Sequence, residues 1–204
     1  MALAVRPATP GDAAGELLYE SARPYYDAYF GSARTARRIL AAIYPRGGHT
    51  ASFEICRVAE LDGALAGVLA AFPVEQGDRL ARRFVSLTVP RVPPWHWPRL
   101  TRHLRVASAV SPHPPARTYY VDALATAPGA RRRGVARALL AQAEREAAAA
   151  GLPAVSLDTG LHNDAARALY EAAGYEQRHV RRTTEREARV VGGPGFVSYV
   201  KPLA

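Results

Sequence analysis

The chain has 204 residues, of which 49% are hydrophobic and 22% charged, a composition typical of a globular protein with one sizeable core or two small ones. Its formal net charge of +9 comes almost entirely from arginine, since Lys201 is the one lysine. Abundant arginine and alanine fit GC-rich coding as well as a nucleic-acid surface, so the bulk charge does not indicate nucleic acid. The single cysteine, Cys56, excludes an internal disulfide, and zinc-ligand spacings are missing.

The amino-terminal sequence and the overall hydropathy predict the compartment. Residues 1–12 lack a charged segment followed by an apolar one, and no run of about 18 apolar residues occurs. We therefore expect a single domain over residues 1–204, soluble and cytoplasmic, without membrane contact, and either monomeric or homodimeric.

In the first third, hydrophobic patterning predicts the order β-α-α-β-β. "LAVRPA" is typical of a strand, residues 10–31 and 32–48 of two helices, and "FEICRVAEL" and "ALAGVLAAFPV" of a strand pair. Asp62-Gly63 between these last two segments is a hairpin signal. Residues 77–115 form a less regular, proline-rich insertion, in which two helix-like stretches flank the stiff loop "PRVPPWHWP".

The second half alternates strands and helices. "RTYYVDALAT" indicates a strand, "RGVARALLAQAEREAAAAG" a helix, "PAVSLDT" a buried strand and "NDAARALYEAAG" a second helix. The tail, "YEQRHVRRTTERE" and "GFVSYVKPL", is predicted to form a strand pair around "VGGPG".

Three consecutive arginines and a glycine, "RRRG", lie between the predicted strand and the long helix that follows it. A helix begins with unpaired backbone N–H groups and the positive end of its dipole, so this turn favours an anion. Gly134 lets the backbone approach a ligand, and guanidinium groups match phosphate oxygens. The alternative, a solvated run of charge, sets three cations against the helix dipole. The sequence matches neither a P-loop nor a Rossmann glycine series.

The turn and the segment after it together resemble a known family. "ALATAPGARRRGVARALL" followed by "VSLDTGLHNDAARALYEAAGYE" resembles the GNAT N-acetyltransferase superfamily, whose turn is R/Q-x-x-G-x-G/A; here these positions are Arg131, Gly134 and Ala136. The resemblance is strongest over residues 119–176. It implies an α/β acyl-CoA N-acyltransferase fold with a mixed central sheet, a splayed fourth strand and flanking helices.

The resemblance also implies an acetyl-CoA site and no metal. Arg131 precedes the backbone that would hold the pyrophosphate, and a splayed strand would pair with the pantetheine arm. Asn163, a helix N-cap by sequence alone, would contact the same arm. Carried over residue by residue, the cofactor-binding positions are Leu124, Ala125, Thr126, Arg131, Arg132, Arg133, Gly134, Val135, Ala136, Arg137 and Asn163. The family more often has valine where Thr126 stands, which leaves a backbone contact unaffected.

Transfer of an acetyl group to an amine needs a base for the amine and an acid for the departing thiolate. Tyr170 matches the family's tyrosine acid; the alternative is a core tyrosine on the apolar face of its helix. Asp122 lies four residues before Thr126, where some members of the family carry a histidine, and is the candidate base or amine anchor. A carboxyl pKa near 4 is too low for this task, so Asp122 needs desolvation or a water relay. Glu54 is a second candidate base.

Acceptor contacts are expected from variable segments. In the family, paired helices after the first strand form a wall of the acceptor site, which points to Tyr25, Tyr26, Tyr29 and Phe30, with core packing as the alternative. Tyr120 lies on the same strand face as Asp122. Trp95, His96 and Trp97 either line this site or form a dimer contact.

Together these residues predict an acetyl-CoA-dependent N-acetyltransferase acting on the primary amine of a small molecule. The alternatives are a catalytically silent acyl-CoA-binding regulator, an enzyme acting on a protein N-terminus or lysine, and a nucleic-acid-binding module. Glu144, Glu146 and Asp164 interrupt any long basic stripe, so we do not expect nucleic acid as a partner.

Overall fold

A computed structural model describes residues 2–203, which form one mixed sheet covered by helices on both faces. The elements in chain order are β1 Leu3–Pro7, α1 Gly15–Ser21, α2 Arg23–Phe30, α3 Ala33–Ile43, β2 Cys56–Leu61, β3 Ala64–Pro73, α4 Gly77–Thr88, α5 Trp97–Val110, β4 Thr118–Thr126, α6 Val135–Ala149, β5 Ala154–Gly160, α7 Asp164–Ala172, β6 Glu176–Arg182, α8 Glu185–Val191 and β7 Gly195–Pro202. The α/β class and the mixed sheet predicted from sequence are confirmed.

The seven strands follow the order β1-β2-β3-β4-β5-β7-β6. All neighbouring pairs are antiparallel except β4 and β5, which run parallel and are connected through α6. The β2–β3 hairpin turns at Asp62 and Gly63, both with positive φ, as the Asp-Gly signal predicts. The β4–α6–β5 unit is therefore the one crossover between parallel neighbours among the described strands.

Each face of the sheet has its own hydrophobic core. On one face, helices α1 to α3 pack against β2 and β3 around fully buried residues such as Leu18, Ile39 and Leu40. On the other face, α6 and α7 pack against β4, β5 and β7 around Leu139 and Tyr199. Strand β4 contributes Ala123 to the first core and Val121 to the second, whereas Val155 and Leu157 of β5 both belong to the second.

Helix α6 is held close to the sheet by a glycine and a half-buried carboxylate. A Cβ at Gly67 on β3 would lie 2.6 Å from Cγ1 of Val135, so glycine is needed for this approach. Glu146 near the other end of α6 accepts hydrogen bonds from Arg57 Nε at 2.5 Å and from the Tyr119 hydroxyl at 2.9 Å. These contacts fix where the amino end of α6 meets the end of β4.

Three sequence predictions need correction. The predicted first helix is divided at Ala22, with Pro24 in the first turn of α2, where a missing N–H costs no hydrogen bond. Residues 77–115 are mainly helical rather than irregular, because both helix-like stretches form helices, α4 and α5. The tail contains α8 between its two strands, which begins with a capping box between Thr184 and Glu187.

Candidate active site

The predicted splayed strand is β4. It pairs with β5 only over Thr118–Val121, opposite Ala154–Leu157. Beyond Val121, β4 continues to pair with β3, and β5 continues to pair with β7. The β5-facing backbone groups of Leu124 to Thr126 therefore have no strand partner, and they present the donors and acceptors of an exposed sheet edge. A gap opens between the two strands at this point.

A β-bulge at Asp122 marks the start of the gap. On β3, Ala71 pairs with Val121 and Ala70 with Ala123, so Asp122 is the extra residue on β4. The bulge leaves Asp122 on the sheet face covered by α1 and α2, together with Tyr120. Bulges of this kind redirect a side chain, and here the redirected side chain is the carboxylate that the sequence indicated as a base.

Asp122 is reached by solvent although protein surrounds it on most sides. Dehydration in this recess, with a smaller contribution from the Asp158 carboxylate, raises the pKa of Asp122 from 3.8 to about 7. The Tyr25 and Tyr26 rings of α2 and the Cys56 thiol are close enough for Asp122 to raise their pKa values in turn, after the larger effect of burial. Asp122 therefore changes its charge near neutral pH.

Asp158 on β5 is a second carboxylate in the gap, and sequence reasoning missed it. Its Oδ2 accepts a hydrogen bond from the Tyr120 hydroxyl at 3.1 Å. Its Oδ1 is buried and has no hydrogen-bond partner among the described residues. Burial raises the pKa of Asp158, and the nearby hydroxyls of Ser198 and Tyr120 oppose the rise. A buried carboxylate oxygen without a donor favours a protonated group or a ligand.

Tyr170 approaches the gap from the opposite face, on α7. Its ring is 6% exposed and packs among Tyr175 and Tyr199, with centroids 6.1 Å and 5.7 Å away. The Tyr199 hydroxyl donates to Glu171 on the same helix as Tyr170. Burial, followed by the charges of Tyr199 and Asp158, raises the pKa of Tyr170 above its usual value. The Tyr170 ring is therefore packed in the core, and its hydroxyl retains its proton.

The arginine turn lies where β4 ends and α6 begins. Arg132 and Gly134 both have left-handed φ angles, 61° and 83°, which turn the chain sharply into the helix. Arg132 to Gly134 are exposed, and open space surrounds the position of a Gly134 Cβ. The first intrahelical bond runs from Ala138 N–H to Gly134 C=O, so the backbone N–H groups before Ala138 lack helical partners.

The charges around the turn add to this anion-accepting character. No acidic residue lies in the first turn of α6. Arg133 has one weak, exposed ion pair, with Asp62 at 3.6 Å, and such surface pairs contribute little stability. The left-handed Arg132 costs about 1 kcal/mol of backbone strain, a cost typical of ligand-binding turns.

Asn163 is the N-cap of α7, as its position in the sequence predicts. Its side-chain oxygen accepts from Ala166 N–H at 3.3 Å, and its amide donates to Thr159 Oγ1 at 3.2 Å. The side chain is exposed at the end of the gap that lies toward β5. Capping occupies one lone pair of the oxygen and leaves the rest of the amide available to a ligand.

The aromatic residues of α2 divide into two groups. Tyr25 is half-buried and Tyr26 is 8% exposed, and both lie near Asp122. Tyr29 and Phe30 are 1% exposed and belong to the core, where the Tyr29 hydroxyl bonds Thr88 Oγ1 at 2.8 Å. The structure thus gives Tyr29 and Phe30 a packing role and brings Tyr25, Tyr26 and Tyr120 to the gap.

Other side chains that the sequence singled out lie apart from the gap. Glu54 accepts a hydrogen bond from Gly48 N–H and stabilises that loop. Trp97 donates to Val92 C=O, His96 is buried against α2, and Trp95 is 84% exposed. Within residues 2–203 no cluster of three or more histidine, cysteine or acidic side chains has the arrangement of a metal site. None of the described helices combines the length and apolarity needed to cross a membrane.

The fold defined by this sheet and gap is that of acetyltransferases. An N-acetyltransferase from Staphylococcus aureus has 15% sequence identity and a TM-score of 0.71, covering 98% of this chain and 100% of its own. A structure described as an acetyltransferase has 17% identity and a TM-score of 0.69, with the same coverage. An agmatine N-acetyltransferase has 17% identity and a TM-score of 0.59, covering 98% of this chain and 99% of its own.

The sequence itself gives the family. Residues 16–175 match the model of the acetyltransferase (GNAT) family, and this stretch is most of the chain. No curated protein matches the sequence significantly. The chain belongs to the GNAT family, as the arginine turn and the asparagine-to-tyrosine helix predicted.

Proposed function

We propose that the protein transfers an acetyl group from acetyl-CoA to the primary amine of a small molecule. The observation that carries this proposal is the gap between β4 and β5, which has an anion-accepting turn at one end and Asp122, with a pKa near neutrality, at the other. A phosphate-bearing thioester and an amine thus find complementary groups along one continuous recess. Acetyl-CoA supplies the activated acyl group.

Cofactor binding is assigned to main-chain groups. The free N–H groups from Arg132 to Arg137 suit the pyrophosphate, and their side chains add positive charge around it. The unpaired edge from Leu124 to Thr126 suits the amide-containing pantetheine arm, which can pair with it as an added strand does. Asn163 is placed to contact the same arm from α7.

Asp122 is assigned as the base, directly or through one water. A primary ammonium with a pKa near 10 gives up its proton more readily to a carboxylate of pKa about 7 than to one of pKa 3.8. The recess supplies the desolvation that the sequence alone showed to be necessary. Tyr25 and Tyr26 form the adjacent wall and exclude part of the solvent.

Tyr170 is assigned as the group that meets the departing thiolate. Because burial raises its pKa, the phenol stays protonated across the working pH range and donates a hydrogen bond as negative charge develops on sulfur. The proton released from the amine and the one delivered to the thiolate balance over the whole reaction. CoA leaves as the free thiol.

Calorimetry with CoA and dephospho-CoA tests the cofactor assignment. We expect CoA to bind with a micromolar Kd at low salt, and Gly134→Glu to weaken it at least about tenfold by adding an anion and a strained φ at the turn. Gly11→Glu is the control, because Gly11 is exposed, has no positive φ and has open space around it. If neither ligand binds, the proposal fails; if binding survives Gly134→Glu, the assigned location is wrong.

Thiol release from acetyl-CoA with a panel of acceptors tests transfer. Proteins of this fold include the agmatine enzyme and a ribosomal-protein alanine N-acetyltransferase from Escherichia coli, so the panel holds small amines, peptide N-termini and lysine peptides. We expect release with small primary amines. Tight CoA binding without release by any acceptor would instead favour a regulatory acyl-CoA binder. We further propose that the enzyme works in the cytoplasm, as a monomer or homodimer.

A further inference from the structure

A cleft of about 310 Å³ lies on the same sheet face as Asp122 and Asp158, over the β7–β6 side of the sheet. Its floor is Ser198 and Val200 of β7, and its outer rim is Arg178, His179 and Arg181 of β6. The loop after α5, with His113, forms the opposite wall. We call this the basic cleft. Its volume is within the range of small-molecule sites.

The basic cleft is positively charged and has no acidic lining residue. Arg178 is paired with Glu176 at 2.9 Å, whereas Arg181 makes no salt bridge to any described residue. His113 and His179 add two further ring nitrogens that can donate to an anion. Arg181 forms no ion pair with a described residue, although its charge reaches Glu187, and it lies beside two histidines and a serine hydroxyl, a lining suited to carboxylate or phosphate.

The cleft adjoins the two carboxylates of the gap. Ser198, on its floor, is the direct strand partner of Asp158, and His179 is in turn the strand partner of Ser198. His179 is also close enough for its charge to influence Asp158. The sheet face therefore changes from carboxyl groups on β4 and β5 to arginine and histidine side chains on β6.

The spacing of the strands sets the distance between Asp122 and the basic cleft. Adjacent strands lie about 4.8 Å apart, and three such spacings separate β4, which carries Asp122, from β6, so Asp122 and the basic cleft are about 14 Å apart. A free α-amino acid acetylated on its α-amine cannot bridge this distance, because a single carbon separates its amine from its carboxylate. A longer acceptor can place its amine near Asp122 and its anion in the basic cleft.

We propose that the basic cleft binds an anionic group of the acceptor, a carboxylate or a phosphate, carried about 14 Å from the amine that is acetylated. This inference rests on the proposed acetyl transfer and names its substrate class. Arg181 is the principal anion-binding residue, and His113, His179 and Ser198 complete the subsite.

Matched acceptors test the preference. Thiol release is measured with a series of ω-amino carboxylates, with n-alkylamines of the same chain lengths and with ω-aminoalkyl phosphates. By standard bond lengths, an extended chain of about ten to twelve carbons spans the distance. At that length we expect kcat/KM for an anionic acceptor to exceed that for the alkylamine at least tenfold, with no such gain for glycine. The carboxylate and phosphate arms show which anion is preferred.

Arg181→Gln tests the location, with Arg182→Gln as the control. Arg182 is the next residue of the same exposed strand, carries the same charge and does not line the cleft. We expect Arg181→Gln to remove about tenfold of kcat/KM for the anionic acceptor and to leave the alkylamine value unchanged, while Arg182→Gln changes neither. Equal effects of the two variants, or an Arg181→Gln effect that is the same for both acceptors, would overturn the proposal.

Binding of non-reactive probes separates this inference from the proposed activity. Octanoate and octyl phosphate are titrated by NMR into the full chain, and backbone shifts are expected at His179, Arg181 and Ser198, weakened by Arg181→Gln. If alkylamines are acetylated as well as the anionic acceptors are, the basic cleft is not an acceptor subsite, and the proposed acetyl transfer still stands. If CoA binds and no amine is acetylated, the proposed function fails, and the probe titration still decides whether the basic cleft binds anions.

Discussion

The proposed role of Asp122 can be tested by Asp122→Asn, which removes the base and keeps nearly the same shape at an exposed bulge position. In the wild type, the complexes that react are those in which Asp122 is ionised and the bound amine is still protonated. In the variant, only amine that is already neutral in solution can react. The ratio of the two rates therefore depends on the difference between the amine pKa and the pKa of Asp122.

The structure sets the magnitude of this ratio. With Asp122 at a pKa of about 7 and a primary amine near 10, the gap of roughly three units corresponds to a loss of at most about a thousandfold. Below pH 7 both rates fall together, so the ratio stays constant. Above pH 7 the wild-type rate is level, while the rate of the variant continues to rise. The ratio of the two rates therefore shrinks by about tenfold per pH unit until the pH reaches the amine pKa.

The assay is kcat/KM from thiol release between about pH 5.5 and pH 9.5, under conditions where chemistry limits the rate. Asp78→Asn, an exposed carboxyl in the first turn of α4, is the control for loss of a charge. The pH profile of kcat/KM for the wild type should bend near pH 7, and the profile for Asp122→Asn should not. Parallel profiles for the two proteins, or a wild-type profile that stays level from about pH 5.5 to pH 9.5, would show that Asp122 is not the base with a raised pKa.

Three further predictions follow from the same geometry. Tyr170→Phe should lower kcat by about ten- to a thousandfold, or roughly 1.4 to 4 kcal/mol of barrier, with the calorimetric Kd for CoA unchanged; full turnover would exclude the hydroxyl. Gly67→Ala should lower the free energy of unfolding in denaturant by about 1–3 kcal/mol and weaken CoA binding. The reason is that its Cβ would lie 2.6 Å from Val135 and displace the start of α6. An unchanged free energy of unfolding and an unchanged Kd for CoA would contradict this packing. The folded state binds the Asp122 proton more tightly than the unfolded state, so the wild type should lose stability relative to Asp122→Asn as pH rises from about 4 to about 7. This loss is measured as a widening Tm difference between the cofactor-free proteins. A Tm difference that stays constant with pH would refute the raised pKa.

Sequence reasoning located the turn, the splayed strand and the tyrosine helix, because each has a local signal. Gly134 and the arginines stand between a strand pattern and a helix pattern, and Asn163 is a typical N-cap. The α8 helix also had a signal, the capping box from Thr184 to Glu187, which a strand-pair interpretation of the tail concealed. In α4, Leu80, Phe84 and Leu87 recur at helical spacing, so its form was predictable despite the proline-rich loop beyond it.

The carboxylate pair was not predictable in the same way. Asp158 is an ordinary strand residue in the sequence, and it becomes part of the site only because β4 leaves β5 at Val121. The bulge at Asp122 has no sequence signature, since "YYVDALAT" alternates acceptably with or without an extra residue. The raised pKa of Asp122 likewise depends on α2 and β5 enclosing it, a tertiary effect that local spacing does not encode.

The bulge also makes Asp122 removable. Since Ala71 pairs with Val121 and Ala70 with Ala123, deleting Asp122 would join two residues whose partners on β3 are already consecutive, and every existing pair of that ladder would persist. On the proposed roles, the downstream edge from Leu124 to Thr126 would still hold the cofactor while the base would be gone. A single codon deletion is thus a short evolutionary step from an acetyltransferase of this design to a protein that only senses acyl-CoA, and the reverse insertion would restore catalysis without rebuilding the cofactor site.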